Sequence, residues 1–184
     1  MAIISFWSNS KRETGQTLSS VAVATAMAID HNHKILEVAT SFQDNTIENC
    51  FWDESKEKNV RAITGVTQTN FNNGVEGLIK IIQSNRSSSN IVGDYARVVF
   101  KDRLDVLPAP ATQNIMDYNT IAEYYPDLLK IAAREYDMVF VDVDKRMPMD
   151  TQRKILEQSD VVVLTLKQGL DAMKNVINLR SNDE

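Results

Sequence analysis

SNSKRETGQTL, Ser8 to Leu18, is the stretch on which the reading of this chain turns. Before it runs Ala2-Ile3-Ile4-Ser5-Phe6-Trp7, an apolar segment with the character of a buried first strand. After it, Thr17 to Ile29 (TLSSVAVATAMAI) is uncharged and rich in small residues, as a helix packed on a sheet would be. Strand, loop, helix is the setting of the phosphate-binding motif G-x-x-x-x-G-K-[ST]. In that register the motif spans Ser10 to Thr17: Gly15 and Thr17 match, Ser10 stands for the first glycine, and Gln16 stands for the lysine.

The chemistry of such a loop explains what those exchanges remove. Glycines let consecutive backbone N–H groups turn toward phosphate oxygens at the positive end of the following helix. The lysine adds a cation and the Ser/Thr hydroxyl a magnesium ligand. Here Thr17 keeps the hydroxyl and Gly15 the last tight turn, whereas Gln16 offers hydrogen bonds without charge. Glu13 places a negative charge beside a site for a polyanion, with Lys11 and Arg12 as neighbouring cations. The same segment also reads as a plain strand-to-helix connection with a capping residue.

Further strands are expected at Lys34 to Ala39, Arg103 to Leu107, Met138 to Val143 and Asp160 to Leu166. The last two are Val-rich runs of the kind found in parallel strands buried on both faces. Helices are expected at Gly74 to Gln83, Ile121 to Glu135 with Pro126 limiting its start, Asp150 to Gln158 and Gly169 to Leu179. Alternating strands and helices predict an α/β fold: a doubly wound, mainly parallel sheet with helices on both faces, P-loop NTPase-like. Ser84 to Asn90 reads as a surface loop within a single domain spanning residues 1–184.

Composition bounds the function. With 184 residues the chain is long enough for one sizeable core. A net charge of -5 argues against a generally basic DNA-binding surface. The single cysteine, Cys50, and two histidines, His31 and His33, make neither an internal disulfide nor a zinc site. No run approaches the roughly 18 apolar residues of a membrane span, so a cytoplasmic location is expected. Cys50 reads as a packing residue, Phe51, Trp52 and Phe71 as core packing or as partner-contacting aromatics, and His31 and His33 as exposed loop residues. Asp142, Asp144 and Asp150 read as a solvated acidic surface compensated by Lys145, Arg146 and Arg153, or as a metal cluster.

In the combined pattern the chain resembles the ParA/MinD family (SIMIBI class), whose deviant loop reads K-G-G-x-G-K-[ST]. Lys11-Arg12-Glu13-Thr14-Gly15-Gln16-Thr17 is its counterpart. Leu104-Asp105-Val106-Leu107-Pro108-Ala109 is similar to the family's L-x-x-L-P-[AGS], and Tyr136-Asp137-Met138-Val139-Phe140-Val141-Asp142 to its Walker B strand. Ser159-Asp160-Val161-Val162-Val163-Leu164 is similar to the strand after that one. The resemblance implies nucleotide binding along Lys11, Arg12, Glu13, Thr14, Gly15, Gln16, Thr17 and Leu18, and a magnesium site at Thr17 and Asp142. It further implies that Lys11 reaches the partner's nucleotide in a sandwich homodimer.

The departures shape the functional expectation. The D-x-D acids of the family's second strand fall on Ala39 and Ser41, and Val143-Asp144-Lys145-Arg146 replaces the segment after the Walker B Asp. Strands carrying adenine contacts are not evident, as though the chain were shortened after Leu179. The degenerate loop is similar to those of TadZ-like and CpaE-like proteins and of ParA-like proteins of conjugative elements. The expected function is that of a positioning or scaffold module with weak or no ATP hydrolysis, ATP and Mg2+ being held weakly. Its expected partner is a protein of a localisation, secretion or conjugation system, and DNA and membrane attachment are not expected. The alternative is an active ATP-dependent switch enzyme in which Lys11 or Arg12 replaces the missing lysine.

Overall fold

The computed structural model describes residues 1–8, 10, 14–52, 74–84 and 90–174. Six strands form one sheet: β1 (Ala2–Trp7), β2 (Ile35–Ala39), β3 (Arg97–Phe100), β4 (Leu104–Leu107), β5 (Met138–Asp142) and β6 (Val161–Leu164). Their spatial order is β3-β4-β2-β5-β1-β6. All neighbours are parallel except β3, which pairs antiparallel with β4. The expected doubly wound, mainly parallel α/β architecture is therefore present.

The described helices are α1 (Gln16–Asp30), α2 (Thr46–Phe51), α3 (Gly74–Gln83), α4 (Ile115–Ala122), α5 (Tyr125–Glu135) and α6 (Met149–Glu157). A short turn of helix at 170–174 succeeds β6, and the rest of the helix expected to Leu179 lies outside the described residues. Helix α1 covers one face of the sheet, where Ala24 and Ala28 meet Phe6, Ile35, Leu104 and Phe140. Alanine lets the helix approach closely, and the aromatic pair Phe6 and Phe140 stacks beneath it with ring centroids 6.1 Å apart. On the other face Leu36, Val38, Leu107, Val139 and Val141 pack against residues of α3 to α6, among them Leu78, Tyr118, Leu128, Leu129 and Ile155. β2 and β4 are buried along their whole length, as central parallel strands must be.

Three expectations are corrected. The Val-rich β6 is not buried on both faces: Val161 and Val162 are 50% and 45% exposed. Among the described residues it lies at the sheet edge with β1 on one side, and a run of valines cannot signal that position. The helix expected over Ile121 to Glu135 is two helices, with a turn at Glu123 and Tyr124. Asn114 caps the first, accepting from the Met116 N–H at 2.9 Å. Pro126 sits in the first turn of the second, where its missing N–H costs nothing. Strand β3 went unread because it joins β4 through a tight antiparallel turn, with Asp102 at a φ of 59°, instead of through a helix.

Candidate functional site

The carboxyl ends of β1, β2 and β5 converge on the start of α1, where a doubly wound sheet places its ligand crevice. Gly15 makes the entry to the helix at a φ of 74°, in the left-handed region glycine adopts without strain. The first helical bond comes at once, Ser19 N–H to Gly15 C=O at 2.8 Å. Thr14 lies beside β6, its Oγ1 3.5 Å from Thr165 Oγ1. Leu18, in the first turn of α1, is 61% exposed. Lys11, Arg12 and Glu13 lie outside the described residues.

Asp142 ends β5 opposite Phe6 on one side and Ala39 on the other. Both its oxygens are engaged by α1: Gln16 Nε2 donates to Oδ1 at 2.7 Å and Thr17 Oγ1 donates to Oδ2 at 2.7 Å. Gln16 Nε2 also donates to the Val143 carbonyl at 2.9 Å. A carboxamide has two N–H groups. Both are thus engaged by the last residue of β5 and the residue after it. Burial pushes the Asp142 carboxyl above the usual carboxylate range; the Thr17 and Gln16 hydrogen bonds pull it back, and the nearby Asp144 charge adds to the rise.

Ala39 and Ser41, onto which the D-x-D acids of the resemblance fall, carry no charge. Ala39 is buried against Asp142 across the sheet, and Ser41 Oγ donates to the Asp44 carbonyl at 2.5 Å. Between them Thr40 acts as a clasp: its hydroxyl donates to the Asp142 carbonyl at 2.7 Å and accepts from Asp144 N–H at 2.8 Å. Tyr118 and Tyr125 donate their hydroxyls to the carbonyls of Thr40 and Ala39 from the opposite face. The end of β2 is therefore fixed by bonds from neutral side chains.

Asp144 accepts from Phe42 N–H at 2.7 Å and from the Arg146 guanidinium, with Nη2 to Oδ2 at 2.6 Å. The cation two residues beyond Asp144 is thus committed to it, as the self-compensated reading expects. No group of three or more His, Cys, Asp or Glu able to hold a metal ion occurs among the described residues, so the Asp142, Asp144, Asp150 cluster is not formed. Gln152 on α6 fastens the loop that carries Asp144, donating to the Lys145 and Met147 carbonyls and accepting from Trp7 Nε1–H at 2.9 Å.

For magnesium, the Thr17 hydroxyl and the Asp142 carboxylate are donors of the right kind, side by side. For a triphosphate, the loop offers the Gly15 turn and the α1 N-terminus. Gln16 contributes no charge, and its hydrogens are spent on β5. Among the described residues, the Thr17 and Asp142 oxygens are of the kind that holds a metal, and Gln16 brings no charge to a polyanion.

Elsewhere, His31 and His33 are exposed as expected. Cys50, on α2, is exposed rather than packed. Phe51 packs on the core beneath α1, and the Trp52 ring carries the Arg97 guanidinium 3.8 Å from its centroid. Phe71 lies outside the described residues. No helix among the described residues is long and apolar enough to cross a membrane.

One residue was missed entirely. Glu37, in the middle of β2, is wholly buried on the α1 face and accepts from Ser20 Oγ at 2.5 Å. The single acid in KILEVA was its signal, masked by the apolar residues on either side.

No family model and no curated protein matches the chain in sequence. Solved structures do match it in shape. A ParA family ATPase from Chlorobium tepidum superposes with a TM-score of 0.68 at 18% identity, over 97% of this chain and 67% of that one. A plasmid partition protein from Borrelia burgdorferi, bound to AMPPNP, gives 0.62 at 19%, over 100% and 70%. The kinase domain of the Escherichia coli tyrosine kinase ETK gives 0.64 at 16%, over 98% and 61%. The chain spans about two thirds of the length of the solved structures it matches. At these identities the likeness is one of fold, and the fold of this chain is the P-loop NTPase-like fold of the ParA-type ATPases.

Proposed function

We propose that this chain is a ParA/MinD-like positioning or scaffold module with weak or no ATP hydrolysis. The observation that carries the reading is the double hydrogen bond of Gln16. The residue in the phosphate-lysine position is uncharged, and both its donors are bound to Asp142 and Val143. Phosphoryl transfer rests on positioning and charge neutralisation. Each missing charge-assisted contact to phosphate withholds roughly 1.5–3 kcal/mol. The absence of acids at Ala39 and Ser41 removes further groups that would place a metal and a water.

Thr17 and Asp142 would hold a magnesium ion, which would supply charge neutralisation when bound. Gly15 and the backbone N–H groups of α1's first turn would face the phosphates. The proposed surroundings are a homodimer and a protein partner in a localisation, secretion or conjugation system, with TadZ-like and CpaE-like proteins as the nearest functional analogy. The AMPPNP bound by the Borrelia partition protein supports nucleotide as the ligand class.

Calorimetric titration with ATP, with and without magnesium, alongside a phosphate-release assay, tests the reading. Weak binding with no turnover above background is expected. Tight magnesium-dependent binding with steady turnover would favour the active switch enzyme instead.

A further inference from the structure

Beneath the loop, helix α1 meets the sheet through a second acid that the nucleotide chemistry does not use. Glu37 has no exposed surface, and its Oε2 has no hydrogen-bond partner among the described residues. Its Oε1 is bound by Ser20, one helical turn beyond Gln16 on the sheet-facing side of α1. The anchored strip of α1 thus has two polar points: Gln16 and Thr17 on Asp142, and Ser20 on Glu37.

Among the described residues, no ion pair joins a cation to this acid, and the charge that bears on it is that of Asp142. Helix α1 carries no charged residue from Gln16 to Ile29. β4 presents Leu104 and Val106 to this face. β5 presents the Asp142 carboxylate, which repels a second negative charge. On α2 the Cys50 thiol is itself pushed up, by burial first and then by the charges of Glu37 and Glu48. A carboxylate here would be a buried charge with one oxygen unbound, whereas a carboxylic acid leaves only a modest polar group without a partner. Burial pushes the Glu37 carboxyl up to about 8, against the pull of the Ser20 hydrogen bond and with a small push from Asp142.

We propose that Glu37 is a positioning residue for the loop end of α1. With its proton on, it and Ser20 fix the helix to β2; without it, an unpaired charge lies between them and loosens the turn that carries Gln16 and Thr17. The effect passes through α1 and needs no contact between Glu37 and any ligand. It is independent of whether ATP binds, so it can fail or stand separately from the proposed function.

Linkage gives the sign. The folded value of about 8 lies above the ordinary 4.5, so between them the folded state holds a proton that the unfolded state releases. The stability this group contributes is full below about 4.5, falls as pH rises, and is lost above about 8.

The test compares urea unfolding of the wild type and Glu37→Gln from pH 5 to 9, with amide exchange over residues 16–24 corrected for intrinsic rate. Carboxyls shifted in both proteins, such as Asp142, Glu48 and Asp105, cancel in the difference. The wild-type midpoint is expected to fall relative to Glu37→Gln with rising pH and to level off near pH 8. At pH 8.5 the variant should restore exchange protection at the start of α1. Parallel midpoint curves would overturn the proposal. Should Glu37→Gln fail to fold, carbon-13 titration of the Glu37 carboxyl in the wild type decides: a midpoint well above 7 supports it, and one near 4.5 overturns it.

Discussion

Gln16 and Asp142, 126 positions apart in the chain, are joined by a 2.7 Å hydrogen bond from the Gln16 carboxamide to Asp142 Oδ1. The bond ties the first turn of α1 to the carboxyl end of β5. Gln16 thus directs a neutral donor at the end of β5.

Gln16→Lys restores the missing charge. One recovered charge-assisted contact is worth roughly 1.5–3 kcal/mol, so ATP affinity should rise about ten- to a hundredfold. Calorimetry on the two proteins measures it. Unchanged affinity would mean that the loop's other residues, not this position, limit binding.

Thr40→Val keeps the shape of the side chain and removes its hydroxyl, leaving the Asp142 carbonyl and the Asp144 N–H without that partner. A loss of about 1–3 kcal/mol is expected in urea unfolding, with an unchanged m value. A negligible loss would show that the clasp between β2 and the loop after β5 contributes little.

Tyr136→Phe removes the donor to Asp105 Oδ2, a 2.8 Å bond. Burial holds the Asp105 carboxyl above its ordinary 3.8, and the tyrosine hydroxyl opposes that rise. Removing the hydroxyl penalises the ionised form, so the destabilisation should be larger at neutral pH than below about 3.8. Thermal melts at pH 3.5 and pH 7 give the comparison; an equal loss at both would place the effect in packing alone.

Leu129→Ala empties a fully buried site in the core and should cost about 2–5 kcal/mol. Met149→Ala, at a residue 74% exposed, should stay within about 0.5 kcal/mol of the wild type. Chemical denaturation of both variants checks the contrast.

Much of the architecture was legible in the residues because parallel strands and their covering helices write themselves as apolar runs and spacings. β1, β2, β4 and β5 fall within a residue of their expected limits. Features that depend on a neighbour escaped. Val161 to Leu164 has the composition of an inner strand and the position of an edge. Arg97–Phe100 is too short and too exposed on alternate residues to stand out. Of the site, the sequence shows which residues stand in the loop and which carboxylate ends β5. That Gln16 turns inward, and that Glu37 lies beneath Ser20, depend on the pairing of distant segments, which no local pattern encodes.

The most direct test is a crystal structure grown with AMPPNP and magnesium. The expected result is Gln16 still bound to Asp142 and Val143, with nucleotide absent or poorly ordered over the loop. A well-ordered triphosphate cradled by the turn from Ser10 to Thr17, with Gln16 released from β5 onto its oxygens, would contradict the scaffold reading outright.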